Sequence, residues 1–409
     1  MLVNIEQKIK EQVLAELDLS REMDDDEIYE LIGMIIARDA SARQLTIKDR
    51  IRLEKNVFYS LRKLDVIQEL VDDKEITEIM VNGPDNIFYE KEGQIHKFDG
   101  HFSSEEKMED VIQQIVGKHN RVVNQSSPIV DTRLSDGSRV NIVLKPISLV
   151  GSAISIRKFP EHPMDMEKLI AIGSLTREVA DYLEVLVKSK YSIFISGGTG
   201  SGKTTFLNAL SQYIPEDERI ITIEDSAELQ LLGAKNIVKL ETRNANTEGV
   251  VPITIRDLIK TALRMRPDRI IVGETRGAEA LDMLSAMNTG HDGSLSTGHS
   301  NSCKDMLSRI ETMVLMGQEL PIIAIRQQIA SGIDIIIQLG RLRDKSRRVL
   351  EIAEVDGMEN GEVKLNTIFR FVEEPGGVGR VRGKLVKTGR LKHREKLAAA
   401  GMKLKDEDK

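Results

Sequence analysis

Four residues set the chemistry that this chain can attempt. Gly197, Gly202, Lys203 and Thr204 stand at the G-x-x-x-x-G-K-[ST] spacing of a phosphate-binding loop, within Gly197-Gly198-Thr199-Gly200-Ser201-Gly202-Lys203-Thr204-Thr205. Glycines leave no Cβ between backbone and ligand, so successive N–H groups can close on phosphate oxygens. Lys203 is then placed to reach the β- and γ-phosphates, and the Thr204 hydroxyl to ligate Mg2+. The flanking elements must hold the loop in that use. Residues 192–196 form a short β-branched and aromatic run that predicts a buried strand, and Phe206, Leu207 and Leu210 predict a helix over 204–213. The loop therefore ends on a helix N-terminus, where unpaired N–H donors and roughly half a positive charge suit an anion. The expected ligand is a nucleoside triphosphate.

Two further strands are predicted to end on acids. Residues 219–223 run into Glu224-Asp225, with Glu228 close behind, and 269–272 run into Gly273-Glu274-Thr275-Arg276. In a doubly wound sheet, ligands gather at the carboxyl ends of the strands, where Mg2+ and an attacking water must sit. The second stretch has the form of a Walker B strand, with Gly273 standing where many phosphate-loop enzymes carry the Mg2+-holding Asp. Mg2+ is then expected to lean on Thr204, phosphates and water, while Glu224 and Glu274 divide metal-shell work and water activation between them in an order left open. A third polar stretch carries His291 and His299 on either side of a strand over 294–297. His299, at the strand's end, is placed to sense the γ-phosphate; His291 reads as a structural hydrogen-bonder.

Bulk properties narrow the classes. The 409 residues suffice for two or three domains with sizeable cores. A net charge of -7 and a pI near 5.7 argue against general nucleic-acid affinity. The single Cys303 excludes a disulfide framework or a cysteine-based zinc site and fits a reducing cytosol. No apolar run has signal-peptide or membrane-spanning character, so the expectation is a soluble cytoplasmic chain that meets a membrane only through partners.

Along the chain, residues 1–65 carry amphipathic stripes of a helical region, with the acidic run at 23–26 as a cap. Residues 66–160 switch to strand and turn signals around a helical stretch at 111–116, a small α+β domain. Arg157 closes an alternating strand just before a junction at 159–163, the expected hinge. A planar, permanently charged guanidinium there is suited to clamp a triphosphate, with Arg133 and Arg139 as secondary candidates. Residues 161–375 alternate strand and helix as in a largely parallel sheet; further strands are predicted at 237–240, 333–338 and 349–355. Helices are predicted at 255–265, 278–287, 303–316 and 322–329, the first capped by Thr254 with Asp257. The basic segment 376–409 reads as a solvated tail.

These motifs, in order, spell out a resemblance. GGTGSGKTT, IEDSAEL at 223–229, RPDRIIVGETRGAEA at 266–280 and NTGHDGSLSTGHSNS at 288–302 resemble the type II/IV secretion and pilus-assembly ATPases. Upstream, EITEIMVNGPDNIF, DGSRVNIV and ISIRKF resemble the N-terminal domain of the CpaF (Tad pilus) branch; the likeness covers roughly 65–375. It implies an α/β fold: a RecA-like P-loop NTPase motor domain preceded by a PAS-like α+β domain and an N-terminal helical segment. It also implies ATP hydrolysis, a homohexamer, and docking on an inner-membrane platform protein. By motif it assigns Lys203 and Thr204 to phosphate and Mg2+, Glu224 and Glu274 to catalysis, His299 to the His box and Arg157 to the nucleotide. Two departures stand out: S-T-G-H-S replaces a common T-T-x-H-A, and one cysteine cannot build the four-cysteine zinc module of members close to GspE. The expected function is a motor that pushes pilin through the platform; the alternative is a type IV secretion traffic ATPase moving effectors or DNA. A RecA-like helicase is disfavoured by an acidic chain without Trp, and a scaffold with little turnover by the intact Lys203, Glu224 and Glu274.

Overall fold

The computed structural model describes residues 2–17, 21, 23–118, 121–159, 164–243, 251–375 and 379–405. The hinge expected at 159–163 lies, apart from Phe159, outside them. The chain divides into two compact units, Met1–Glu161 and His162–Lys409. Among the described residues no helix is long and apolar enough to cross a membrane.

The first unit begins with helices Leu2–Glu16, Asp25–Arg38, Ala40–Arg43 and Ile47–Arg62, which close on Ile9, Val13, Ile32, Ile35, Val57 and Phe58. The acidic run works as a cap: Asp24 and Glu27 form a reciprocal capping box that satisfies two backbone donors. Six antiparallel strands follow: β1 (Ile76–Asn82), β2 (Ile87–Lys91), β3 (Gln94–Lys97), β4 (Ile129–Arg133), β5 (Arg139–Val143) and β6 (Ala153–Arg157), in the order β3-β2-β1-β6-β5-β4. Their period-2 alternation turns Ile79, Val81, Val140, Ile142, Ile154 and Ile156 onto the helix Glu105–Gly117, which meets them with Met108, Ile112 and Ile115. The opposite face is mixed, with Glu78, Arg139, Asn141 and Arg157 beside Met80, Phe88, Val143 and Ile129. The Lys107 ammonium donates to Ser60 O at 2.8 Å, tying the sheet's helix to the N-terminal helices.

The second unit is built on nine strands: β7 (Ile193–Gly197), β8 (Arg219–Glu224), β9 (Asn236–Glu241), β10 (Arg269–Val272), β11 (Leu295–Gly298), β12 (Ile335–Arg341), β13 (Arg347–Glu359), β14 (Glu362–Glu373) and β15 (Gly383–Lys387). The order β15-β14-β13-β12-β7-β11-β10-β8-β9 is parallel from β12 to β9 and antiparallel beyond β12. Helices cover both faces of the inner parallel strands, so β7 and β10 read as apolar runs, while the edge strand β9 stays partly exposed. Within β7, Ile193 and Ile195 face the layer holding helices Arg177–Lys188 and Lys203–Ser211, while Phe194 faces the layer of Ile255–Ala262, Glu279–Asn288, Cys303–Leu315 and Ile322–Gly332. Thr254 and Asp257 form the expected capping box.

The basic segment after 376 is not a solvated tail. β15 pairs with β14, and Leu391, Leu397 and Leu404 enter the core beside helix Arg177–Lys188. Lys396 donates to Asp334 at 2.7 Å and lies 2.7 Å from Asp292, so its charge is met by carboxylates instead of water. Buried leucines, spaced between lysines and arginines, decide the matter against the local charge.

At the amino end of β10, Arg269 is fully buried and forks onto Glu218, with one contact at 3.0 Å, and donates to Gly293 O at 3.3 Å. Removing one partner of a buried pair strands the other charge in a low-dielectric interior. Glu218→Ala should therefore cost about 3–5 kcal/mol, whereas Glu218→Leu with Arg269→Met should cost far less. Urea denaturation of the three proteins, followed by far-UV circular dichroism, checks the order.

Candidate active site

Strand β7 delivers Gly197 at its carboxyl end, and the helix Lys203–Ser211 starts after a loop whose tip, Gly198 to Gly200, is exposed. Gly202 caps that helix at φ +93°, a left-handed conformation that a side chain would strain. Lys203 is only 8% exposed; its ammonium donates to Gly197 O at 3.0 Å and Gly198 O at 3.2 Å. Burial pushes the Lys203 pKa below that of an ordinary lysine, with the Glu274 charge pulling it back.

β8 and β10 are parallel neighbours in register, Ile223 beside Val272, so the residues that follow each strand come side by side. Glu224 is 3% exposed; its Oε2 accepts from the backbone N–H groups of Glu228 at 2.7 Å and Leu229 at 2.9 Å, while Oε1 is buried without a partner. Burial lifts its pKa to about 7, against the lowering effect of the two backbone donors. Gly273 lies directly beneath this side chain: a Cβ there would come within 2.8 Å of Glu224 Cγ. An Asp at position 273 would collide with Glu224, which explains the departure from the usual Walker B form.

Glu274 follows Gly273, and Arg276 donates to its Oε2 at 2.6 Å. Its Oε1 lies 2.7 Å from His299 Nε2, an ion-pair distance outside hydrogen-bond geometry. His299 arrives from β11, which runs between β7 and β10, and its Nδ1 lies 3.4 Å from the Lys203 ammonium. A nitrogen facing an ammonium must offer its lone pair, so the ring proton sits on Nε2, toward Glu274. Burial and the neighbouring Lys203 both hold the His299 pKa below its usual value. The strand ends are cross-tied: Thr275 N donates to Thr297 O at 2.8 Å, Thr297 Oγ1 to Gly273 O at 2.8 Å, and Ser196 Oγ lies 2.7 Å from Ser300 Oγ.

Lys203, Glu274 and His299 thus form one contiguous set, with Glu224 against the Gly273 backbone beside it. His291 sits at the other end of β11, 3.3 Å from Ala286 O, in the structural role read from its neighbours. Two arginines escaped the sequence reading. Arg276 spans Glu274 and Asp225, at 3.7 Å from the latter, and Arg347 at the start of β13 donates to Gly200 O at 2.9 Å. Arg276 stands two residues from Glu274, but spacing alone does not show that its side chain turns back; Arg347 comes from a strand 147 positions away. Arg133, Arg139 and Arg157 belong to the first unit. They occupy mutually paired register positions on β4, β5 and β6, on the sheet face opposite the core, as a row of three guanidiniums.

A family model described as type II/IV secretion system protein matches residues 60–390. The conjugal transfer protein TrbB of Rhizobium radiobacter is 33% identical over 74% of this chain and 91% of its own length. The type IV secretion system protein VirB11 of Brucella suis is 31% identical over 68% of this chain and 84% of its own. Among solved structures, the pilus retraction motor PilT with bound ADP superposes with a TM-score of 0.54 over 81% of this chain and 84% of its own, at 20% identity. The Legionella pneumophila ATPase DotB gives 0.53 over 71% and 80%, at 22% identity. These likenesses carry the motor fold, and the sequence matches carry the family. The chain is an ATPase of the type II/IV secretion system protein family.

Proposed function

We propose that this chain is a traffic ATPase of the type IV secretion or conjugation kind, whose ATP hydrolysis drives the movement of effectors or DNA through a membrane platform protein. The observation that carries the chemistry is the convergence of Lys203, His299 and Glu274 at the carboxyl ends of β7, β11 and β10, around an exposed phosphate-binding loop. The conjugal-transfer and type IV secretion names of the relatives favour this reading over the Tad pilus motor expected from the upstream motifs. Action as a homohexamer, recruited to the inner face of the membrane, belongs to the same proposal.

The backbone donors of 197–205 cradle the triphosphate, and Lys203 leaves the loop carbonyls for its β- and γ-oxygens. The unpartnered Glu224 Oε1 and the Thr204 hydroxyl fit Mg2+, directly or through water. Among the described residues no three His, Cys, Asp or Glu side chains gather into a metal cluster, so the cation leans mainly on phosphate oxygens. Bound there, Mg2+ neutralises charge on the transferred phosphoryl group. Glu274 orients the attacking water and takes its proton, and His299 holds the carboxylate while lying in reach of the γ-phosphate. In the same proposal Arg157, with Arg139 and Arg133, adds guanidinium contacts to the phosphates, planar charges suited to phosphate oxygens.

Phosphate release from the full chain with ATP and Mg2+ should be abolished in Glu274→Gln while ATP still binds, with light scattering giving a hexamer mass. Undiminished turnover in that variant would overturn the site reading. A null strain of the source organism should lose secretion or transfer with its pili intact; loss of pili alone would restore the pilus reading.

A pH dependence follows from Glu224. Its folded pKa near 7 exceeds the ordinary 4.5, so the native state holds the proton more tightly and Glu224 favours folding below about 4.5, an advantage lost as pH rises through about 7. Ionised Glu224 is the form that binds Mg2+ or water. The kcat/KM for ATP should therefore fall as pH drops through about 7, and Glu224→Gln should show a lower rate without that limb.

A further inference from the structure

Arg276 stands at the exposed rim of the site with its side chain 62% accessible, yet it is held in place along its whole length. Its backbone N–H donates to Glu279 Oε1 at 2.6 Å, and the same oxygen accepts from Gly277 N at 2.9 Å, which fixes the turn into helix Glu279–Asn288. From that anchor the side chain turns back, so that one guanidinium nitrogen donates to Glu274 Oε2 at 2.6 Å and the other lies 3.7 Å from Asp225 Oδ2. One planar group thereby links the acids that follow two neighbouring strands, β10 and β8.

The geometry matters because Glu274 needs a direction as well as a charge. A carboxylate turning about its terminal torsion samples a broad range, since that torsion has no sharp staggered wells. His299 Nε2 stands 2.7 Å from Oε1, and the single Arg276 hydrogen bond on Oε2 limits how far the carboxylate can turn. We propose that Arg276 is the positioning residue for Glu274, with Asp225 holding the guanidinium in the orientation that makes this contact. It touches no phosphate and takes no proton; it acts through the carboxylate. Asp225 thus acquires a role distinct from that of Glu224 beside it, whose Oε2 is taken by the backbone N–H groups of Glu228 and Leu229. The inference rests on the reading of Glu274 as the water-activating group.

Steady-state ATPase kinetics on the full chain test it, alongside direct ATP binding and thermal unfolding. Arg276→Ala should lower kcat by about 10- to 100-fold, below the roughly 10²–10⁴ that general-base catalysis supplies as a whole, with KM, ATP affinity and melting temperature close to wild type. Arg276→Lys should recover little of the loss, because an ammonium carries the charge without a planar group that reaches Glu274 and Asp225 with separate nitrogens. Asp225→Asn should lose less, and the double variant with Arg276→Ala should be no slower than Arg276→Ala alone, since the two act as one unit. A kcat for Arg276→Ala within twofold of wild type would overturn the proposal, as would a loss confined to KM and ATP affinity, or additive losses in the double variant. Glu274→Gln separates the two levels. If it is inactive while Arg276→Ala is normal, this inference alone fails; if it turns over like wild type, the reading of Glu274 fails and this inference with it.

Discussion

A carboxyl group buried at the end of a sheet strand has to be compensated, and the surroundings of Glu224 are arranged around that requirement. Desolvation alone favours the neutral acid. Two backbone N–H groups from the turn after β8 meet one oxygen, and among the described residues none bonds to the other. The side chain must also have room, and the neighbouring strand yields it by carrying no side chain at Gly273. A Walker B strand without its usual aspartate is therefore the steric counterpart of a glutamate supplied by the adjacent strand.

Strand order does the rest. β7, β11, β10 and β8 are consecutive in the sheet and parallel, so four loops that are scattered along the chain emerge at one edge in the order phosphate loop, His299, Glu274, Glu224. The hydroxyls of Thr275, Thr297, Ser196 and Ser300 cross-tie these ends. Such ties limit relative sliding of the strand ends, which keeps a 2.7 Å contact between a histidine and a carboxylate from depending on side-chain packing alone.

The parallel core and the motifs were legible because both are written locally. A strand covered on both faces must be apolar throughout, and 193–197, 219–224 and 269–272 stand out for that reason. The phosphate loop shows in its spacing, and the acids show as the first polar residues after such runs. What was not legible depends on distant partners. β14 alternates weakly because much of it is half-buried, and β15 is a strand only because β14 offers it an edge. The leucines at 391, 397 and 404 are too widely spaced for any periodicity, yet the core beside helix Arg177–Lys188 takes them in. Helix Arg177–Lys188 itself precedes the phosphate-loop strand in a stretch whose charged residues conceal Val179, Leu183 and Leu186. In the site, the missed residues are arginines for a related reason. An arginine's reach exceeds the distance over which sequence neighbours constrain it, so Arg347 and Arg276 acquire their partners only from the fold.

Charge balance connects the missed arginines with those that were anticipated. Around the phosphate loop, Glu224, Glu274 and Asp225 stand against Lys203 and Arg276, while Arg347 is engaged with the outer side of the loop. Protonation of Glu224 near neutral pH and a neutral His299 keep this set close to balance before any ligand arrives. A triphosphate would bring further negative charge to this set, where Arg309 also acts on His299 and Arg341 approaches Gly200. Arg133, Arg139 and Arg157 hold paired register positions on β4, β5 and β6, with Glu78 of β1 opposite Arg157. Each guanidinium already has neighbours to engage, so its proposed contact with the phosphates exchanges those engagements for a polyanion.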